Sequence, residues 1–561
     1  MFMNKLFNYC IVCLCFIGRN QHVSAQQDTL KYWIQFTDKN NSLYSIDAPE
    51  QFLSSKAFAR RAKSLIPISE QDLPVNQAYI DQITVFPSVQ FLNPSKWFNA
   101  ITINCFDTND LNQIMQLPFV QQIEIVQKMQ LSNTKNPIEN TFEIEPKNNI
   151  EISNNSHFPY GYSYNQNHLH QIEYLHELGY NGEGMTIAVI DAGFETVQEM
   201  ACFKHLFQEN RILSTKDFVD HDGDVYWDHF HGAAVLSTIA GKIDGVYYGT
   251  ATKANFHLLR SEDADTENII EEDNWVTAAE YADSAGVDII NSSLGYTQFD
   301  DSLQNHTYSQ LDGNTTRIAK AADIAASKGI LVVASAGNSG ADDWKYISTP
   351  ADADSILTVG AVDSLGNYAF FSSVGPASDG DVKPNVASVG YHTYLYIPYN
   401  EKVVRANGTS FSSPMMAGMT ACLWQAFPNL NNMEIIDLIQ KSANQYNAPD
   451  SLMGYGIPNF RKAYTDIKGN QEQSVNFEII AYYPNPMDEN GLKVLLNSDV
   501  SQVIQIKISN TLGQPIYSGE IQIEKGQNLI SIGKFFTAKG IYFLKLIAED
   551  GREEDFKILG Y

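Results

Sequence analysis

Four residues of this chain have the types and settings that acyl transfer by a hydroxyl would need. An uncatalysed serine hydroxyl is a weak nucleophile. It needs an adjacent base, a group that holds the base in one tautomer, and donors for the oxyanion that forms. Asp191 directly follows the apolar run Thr186-Ile187-Ala188-Val189-Ile190 and precedes Ala192-Gly193, so it emerges at the carboxyl end of a strand. Taken alone, an Asp in that place could equally cap a turn or helix. His231 opens His231-Gly232-Ala233-Ala234-Val235-Leu236, a buried-helix pattern in which Gly232 and Ala233 permit close packing beside the ring, and His229 is a nearby competitor. Ser410 stands in Asn407-Gly408-Thr409-Ser410-Phe411-Ser412-Ser413-Pro414, ahead of an apolar helix with Met415, Met416, Met419 and Leu423. At a helix start the backbone N–H groups lack intrahelical partners and the dipole favours negative charge. Pro414 suits that first turn, and Ser412 or Ser413 could cap the helix as well. Asn338, in Ala336-Gly337-Asn338-Ser339-Gly340, could aim its amide at the oxyanion or simply be an Asn favoured in a glycine turn.

The elements that must position these residues follow a repeating pattern from about 160 to 468. Thr186 to Ile190 is continuously apolar, as expected for a strand buried on both faces. Trp275, Ala278, Ala279 and Ala282 line one helical face, Gly286 can end that helix, and the strand Val287-Asp288-Ile289-Ile290 follows. The cycle repeats with Ile318, Ala321, Ala322 and Ala325, then Gly329, then Ile330 to Ala334. Such alternation predicts an α/β unit, a mostly parallel sheet flanked by helices, whose sites lie at strand ends.

At 561 residues the chain is too long for one hydrophobic core, and 44% hydrophobic residues argue against wholesale disorder. The net charge of −28 excludes nucleic acid and anionic membrane as natural partners. Lys5, the apolar stretch Tyr9 to Ile17, and Val23-Ser24-Ala25 read as a signal peptide over residues 1–25. That stretch is too short for a permanent transmembrane anchor, and no later run is long enough. Cys10, Cys13 and Cys15 leave with the signal. Cys105, Cys202 and Cys422 remain, too few for a disulfide framework, and Cys202 and Cys422 are either a pair or two buried thiols.

Residues 26 to about 130 carry strand-like runs (Tyr32 to Phe36, Ile101 to Cys105, Ile123 to Val126) and a helix-like stretch from Leu111 to Leu117, a small α+β unit. Asn133 to Asn155 reads as an exposed linker. Beyond about 475 the pattern becomes all-β, with short alternating runs at Val503 to Ile508, Leu529 to Ile532 and Ile541 to Leu546, as in a small sandwich.

In the order Asp191, His231, Ser410, with Val189-Ile190-Asp191-Ala192-Gly193, His231-Gly232, Asn291-Ser292-Ser293-Leu294-Gly295, Ala336-Gly337-Asn338 and Gly408 to Pro414, residues 175–460 resemble the subtilisin-like (subtilase) serine proteases. The resemblance implies a secreted serine endopeptidase with Ser410 as nucleophile, His231 as general base and then acid, and Asp191 as its orienting partner. Asn338 and the Ser410 N–H would form the oxyanion hole. Ser293, Leu294 and Gly295 would be the strand edge that pairs with an extended polypeptide substrate. Two departures concern fine geometry: Ala192 stands where the family usually has a hydroxyl residue, and Ala233-Ala234 where it usually has Thr-His. No cofactor is implied and no Cys/His cluster suggests a metal. Asp217, Asp220, Asp222, Asp224 and Asp228 form an acidic loop that could bind a structural calcium ion or simply be solvated and steer substrate.

The same resemblance implies that 26–155 is propeptide and linker and 156–470 the peptidase domain. In the tail, Tyr483-Pro484-Asn485-Pro486, Ile508 to Gln514 and Lys539 to Leu546 resemble the C-terminal sorting domain of type IX secretion, placed at 475–561. That implies partnership with the type IX machinery and a secreted or cell-surface location in a Gram-negative bacterium. Two other expectations compete. One is a non-catalytic surface binding protein that uses its β-tail. The other is an esterase, disfavoured because Gly408-Thr409-Ser410-Phe411-Ser412 lacks the Gly-x-Ser-x-Gly elbow.

Overall fold

The computed structural model describes residues 30–128, 160–398, 402–472, 477–488, 491–498, 500–533, 539–548 and 553–560. The expected signal peptide and the linker from Asn133 to Asn155 lie outside the described residues.

The N-terminal unit is a four-stranded antiparallel sheet, in the order β2-β3-β1-β4, built from β1 (Leu30–Phe36), β2 (Val89–Ser95), β3 (Ala100–Cys105) and β4 (Val120–Gln127). Helices α1 (Ser55–Lys63), α2 (Gln77–Thr84) and α3 (Thr108–Ile114) complete it. Strand β2 escapes the sequence pattern because Pro94 sits at a register shift within it. The two faces of β1 serve different cores. Tyr32, Ile34 and Phe36 pack with Ile80, Ile83, Ile103 and Phe119 of the same unit, whereas Trp33 packs with Ile270 of the following domain.

That domain is a seven-stranded parallel sheet. Its strands are β5 (Thr186–Asp191), β6 (Ile212–Asp217), β7 (Asn255–Arg260), β8 (Ile289–Ser292), β9 (Leu331–Ser335), β10 (Leu357–Val362) and β11 (Val386–Val389), in the order β11-β10-β9-β8-β5-β7-β6. Helix α4 (His231–Ala240) and the helix from Thr409 to Ala426 pack on one face, and α5 (Ile270–Ala285) and α6 (Arg317–Ser327) on the other. The continuous apolar run of β5 has a direct cause. Ile187 and Val189 enter the first core, Ala188 and Ile190 the second. Strand order reverses around β5, which opens a crevice beyond the carboxyl ends of β5 and β8. A hairpin of β12 (Thr393–Ile397) and β13 (Lys402–Ala406) leads into α7, the Thr409–Ala426 helix.

The C-terminal unit has β14 (Phe477–Asp488), β15 (Gly491–Ser498), β16 (Gln502–Asn510), β17 (Pro515–Ile523), β18 (Gly526–Ile532), β19 (Gly540–Ile547) and β20 (Glu553–Gly560). An antiparallel group β17-β16-β19-β20 and another, β14-β15-β18, meet through a single parallel register pair, Met487 with Gly560. Val494 and Leu496 from one group and Ile504, Ile506, Leu544 and Leu546 from the other share one core, which makes the unit a sandwich. Among the described residues, no helix is long and apolar enough to cross a membrane.

Candidate active site

Asp191 ends β5 with its side chain fully buried, and His231 begins α4 at 2% exposure. His231 Nδ1 lies 2.6 Å from Asp191 Oδ1, which also accepts the Ala192 N–H at 2.8 Å. A carboxylate only accepts, so this bond assigns the proton to Nδ1 and leaves Nε2 as the basic nitrogen. Gly232 makes the approach possible: a Cβ there would stand 2.3 Å from the Gly193 carbonyl oxygen and 3.0 Å from Asp191 Cβ. His229 does not compete for the aspartate. Its Nδ1 accepts the backbone N–H of His231 at 3.2 Å, satisfying one donor at the helix start, and burial pushes its pKa down to about 4.

Ser410 is the second residue of α7 and is 7% exposed. Gly408 precedes the helix at φ +149°, a conformation that L side chains rarely adopt. The Ser410 hydroxyl donates to the Ser293 carbonyl at 3.4 Å, a long bond that a small rotation gives up. In return Ser293 Oγ donates to the Ser410 carbonyl at 3.0 Å, tying the end of β8 to the first turn of α7. Ser412 donates to the Thr409 carbonyl and Ser413 lies against Ser293, both fully buried, so neither takes the place of Ser410.

Asn338 follows β9 and faces the same helix start. Its Oδ1 accepts from Thr409 N at 2.8 Å and Thr409 Oγ1 at 3.0 Å. Because the Thr409 N–H can only donate, the Asn338 oxygen must point at it and the NH₂ group points away. Thr409 thus orients the amide, a role that sequence patterning does not reveal. His231, Ser410, Asn338, Ser293, Leu294 and Gly295 line one cleft of about 470 Å³. The segment Ser293 to Gly295 runs between the end of β8 at Ser292 and a bridge from Tyr296 to Thr349.

The acidic loop is organised differently from a hub of oxygen ligands. Arg260 Nη1 lies 3.3 Å from Asp217, 2.7 Å from Asp220 and 3.3 Å from Asp228, so those carboxylates converge on a guanidinium. Asp222 and Asp224 accept backbone N–H groups of their own turns. Cys422 is a buried free thiol donating to the Thr250 carbonyl at 3.2 Å, so it is not paired with Cys202.

Two cleft residues carry no sequence signal and emerge only from the fold, Glu262 and Glu267. Burial pushes the Glu262 carboxyl up to about 8. The Tyr296 hydroxyl, which donates to it at 2.5 Å, pulls in the other direction.

Comparison with known proteins finds a family model for each of the three regions of the chain. Residues 182–456 match the Subtilase family, residues 31–141 the Peptidase S8 propeptide domain of Bacteroidota, and residues 481–558 a Secretion system C-terminal sorting domain. The chain is 30% identical to Subtilisin DY of Bacillus licheniformis over 292 residues, which is 51% of this chain and 92% of that protein. It is 29% identical to Serine protease AprX of Bacillus subtilis over 307 residues, 50% of this chain, and spans only 65% of AprX. Among solved structures, MycP1 from Mycobacterium smegmatis superposes with a TM-score of 0.42 at 23% identity, covering 56% of this chain and 86% of that one.

Proposed function

The chain belongs to the subtilase family of serine proteases, and from that premise we propose that it is an exported endopeptidase acting on extended polypeptides through an acyl-enzyme on Ser410. His231 Nε2 takes the Ser410 proton as Oγ attacks the scissile carbonyl. Asp191 holds the Nδ1 proton and stabilises the imidazolium. The tetrahedral oxyanion sits between the Asn338 NH₂ group and the Ser410 N–H at the positive end of α7. His231 then protonates the leaving amine, and water repeats the sequence to free the serine and the new carboxylate. Substrate lies along Ser293-Leu294-Gly295 as an added strand. Water is the only co-reactant, so no cofactor is required. Engagement of the acidic loop by Arg260 favours a steering role over calcium binding for that loop.

The observation that carries this reading is the 2.6 Å bond from His231 to a fully buried Asp191, in a cleft shared with Ser410 and Asn338. We assign 1–25 as the signal peptide, 26–155 as propeptide and linker, 156–470 as the peptidase domain and 475–561 as the sorting domain. The tail match supports passage through the type IX machinery to the cell surface or beyond.

A fluorophosphonate probe applied to processed protein, followed by peptide mass spectrometry, tests the assignment. Labelling of Ser410 that disappears on unfolding is expected. Absence of labelling in folded protein freed of its N-terminal unit would favour a binding protein instead. Ser410→Ala is expected to remove turnover by roughly 10⁴-fold or more while leaving the fold intact.

A further inference from the structure

Resting on the endopeptidase reading, we propose that Glu262, Glu267 and Glu271 form an anionic pocket in the wall of the cleft that selects a lysine or arginine side chain of the substrate.

The placement carries the argument. Carboxylate oxygens of the three glutamates lie within 4.8 Å of one another, and Glu262 and Glu267 line the cleft that holds Ser410 and Gly295. Glu262 is 3% exposed and Glu271 1%. Glu271 Oε1 is buried in the group without a hydrogen-bond partner, whereas its other oxygen accepts the Asn268 N–H at 3.3 Å. Glu262 accepts the Tyr296 hydroxyl at 2.5 Å.

Neighbouring acids make the contrast. Glu272 meets His306 at 2.5 Å and Asp273 meets Arg317 at 2.8 Å. Among the described residues, no lysine, arginine or histidine makes an ion pair with Glu262, Glu267 or Glu271. Three carboxyls this close cannot all ionise without a counter-charge. Burial pushes all three upward; Glu262 adds to the rise at Glu267 and Glu271, and Glu267 to that at Glu271, while Asp191 and Asp263 raise Glu262 against the pull of Arg260. A guanidinium or ammonium entering from the cleft supplies the charge and the donors that the Glu271 oxygen lacks. The acidity of the whole chain, at −28, draws basic polypeptides to the same place. A divalent ion would satisfy the same oxygens. The opening of the group onto the peptide cleft favours the substrate side chain.

The test compares two peptides that differ only by arginine or glutamine at one position, chosen by scanning that pair along the sequence. Full chain, processed by a trace of the wild-type protein, is used throughout. At one position kcat/KM is expected to favour arginine at least tenfold, and Glu262→Gln with Glu267→Gln should lower that ratio at least tenfold. Binding of both peptides to processed Ser410→Ala, read by fluorescence anisotropy, gives the same ratio without turnover. A preference for arginine there, with no Ser410 labelling in wild type, would keep the pocket and sink the peptidase reading. Equal arginine and glutamine values at every position in wild type would overturn the pocket. So would an arginine preference that the double variant keeps. If the double variant fails to fold, wild type with 5 mM calcium or a chelator, roughly saturating for weak sites, still decides. An unchanged ratio supports the pocket, and an arginine preference abolished by calcium would mark a metal site and overturn it.

Discussion

Helix α5 meets two different surroundings along its length. Near its carboxyl end, Glu280 accepts Ser95 Oγ at 2.7 Å, Lys96 N at 2.7 Å and Trp97 N at 2.9 Å from the N-terminal unit. Asp283, fully buried, is gripped by Arg60 at 2.6 Å, Arg61 at 2.7 Å and Lys96 at 2.9 Å. Near its amino end, Glu271 clusters with Glu262 and Glu267, which line the cleft, and among the described residues none of the three makes an ion pair. One helix therefore carries buried acids of two kinds. Asp283, under the N-terminal unit, is neutralised within the chain, whereas Glu271, near the cleft, makes no ion pair among the described residues. Burial alone would raise the Asp283 carboxyl, but Lys96, Arg61 and Arg60 outweigh it and hold it well below the usual carboxylate range. In the cleft trio burial wins instead and pushes all three carboxyls upward.

Asp191 is a third case, a buried acid whose neighbour is a histidine, and it offers the largest effect. Asp191→Asn should cost roughly 10⁴-fold in kcat with the fold unchanged, because the amide no longer selects the tautomer with the proton on Nδ1. A loss below tenfold in steady-state assays would mean that His231 is oriented by something else.

Removing Asp283 should disturb the docked end next. Asp283→Asn takes the shared counter-charge from Arg60 and Lys96 and leaves Arg61 only Asp72, and is expected to weaken docking of the N-terminal unit by roughly 3–5 kcal/mol. Native mass spectrometry of the processed but undissociated protein would show it as faster release. Release at the wild-type rate would erase the distinction between the two ends of α5. The pH dependence has a definite sign. With its docked pKa held below the ordinary value of about 4, Asp283 contributes fully above that value. Its contribution fades as pH falls through the docked pKa. Release of the unit should therefore accelerate in strong acid, and Asp283→Asn should flatten that part of the profile.

Asn338→Ala removes one oxyanion donor, and roughly 10²–10³-fold in kcat with little change in KM is expected from single-turnover assays. The smallest effect belongs to Arg317, which stacks 4.7 Å over Trp33 and pairs with Glu124 and Asp273. Arg317→Met should loosen docking by about 1–2 kcal/mol, since part of the stacking area survives. The same native mass spectrometry would rank it below Asp283→Asn, and the reverse order would put aromatic stacking ahead of ion pairing.

Much of the parallel domain was legible because its strands are buried on both faces and its helices are punctuated by Gly286 and Gly329, both at positive φ. The N-terminal unit was harder to read. Strand β2 carries Pro94 at a register shift, and α1 spends its arginines on buried ion pairs across to α5, so its polar sequence hides an interface. Even the acidic loop could be seen only as charge, since the partner that gathers it, Arg260, lies at the end of β7.

Sequence by itself determined which side chains could do the chemistry, because Asp191, His231, Asn338 and Ser410 each sit in a local motif whose strand end, helix start or glycine turn is encoded within a few residues. The tertiary structure alone decided that His231 rather than His229 meets Asp191, that Thr409 turns the Asn338 amide, and that three glutamates from a loop and a helix come together, two of them in the wall of the cleft. The physical reason is range. Strand and helix signals act over a few residues, whereas the charge state and direction of a buried polar group depend on whichever distant segments close over it.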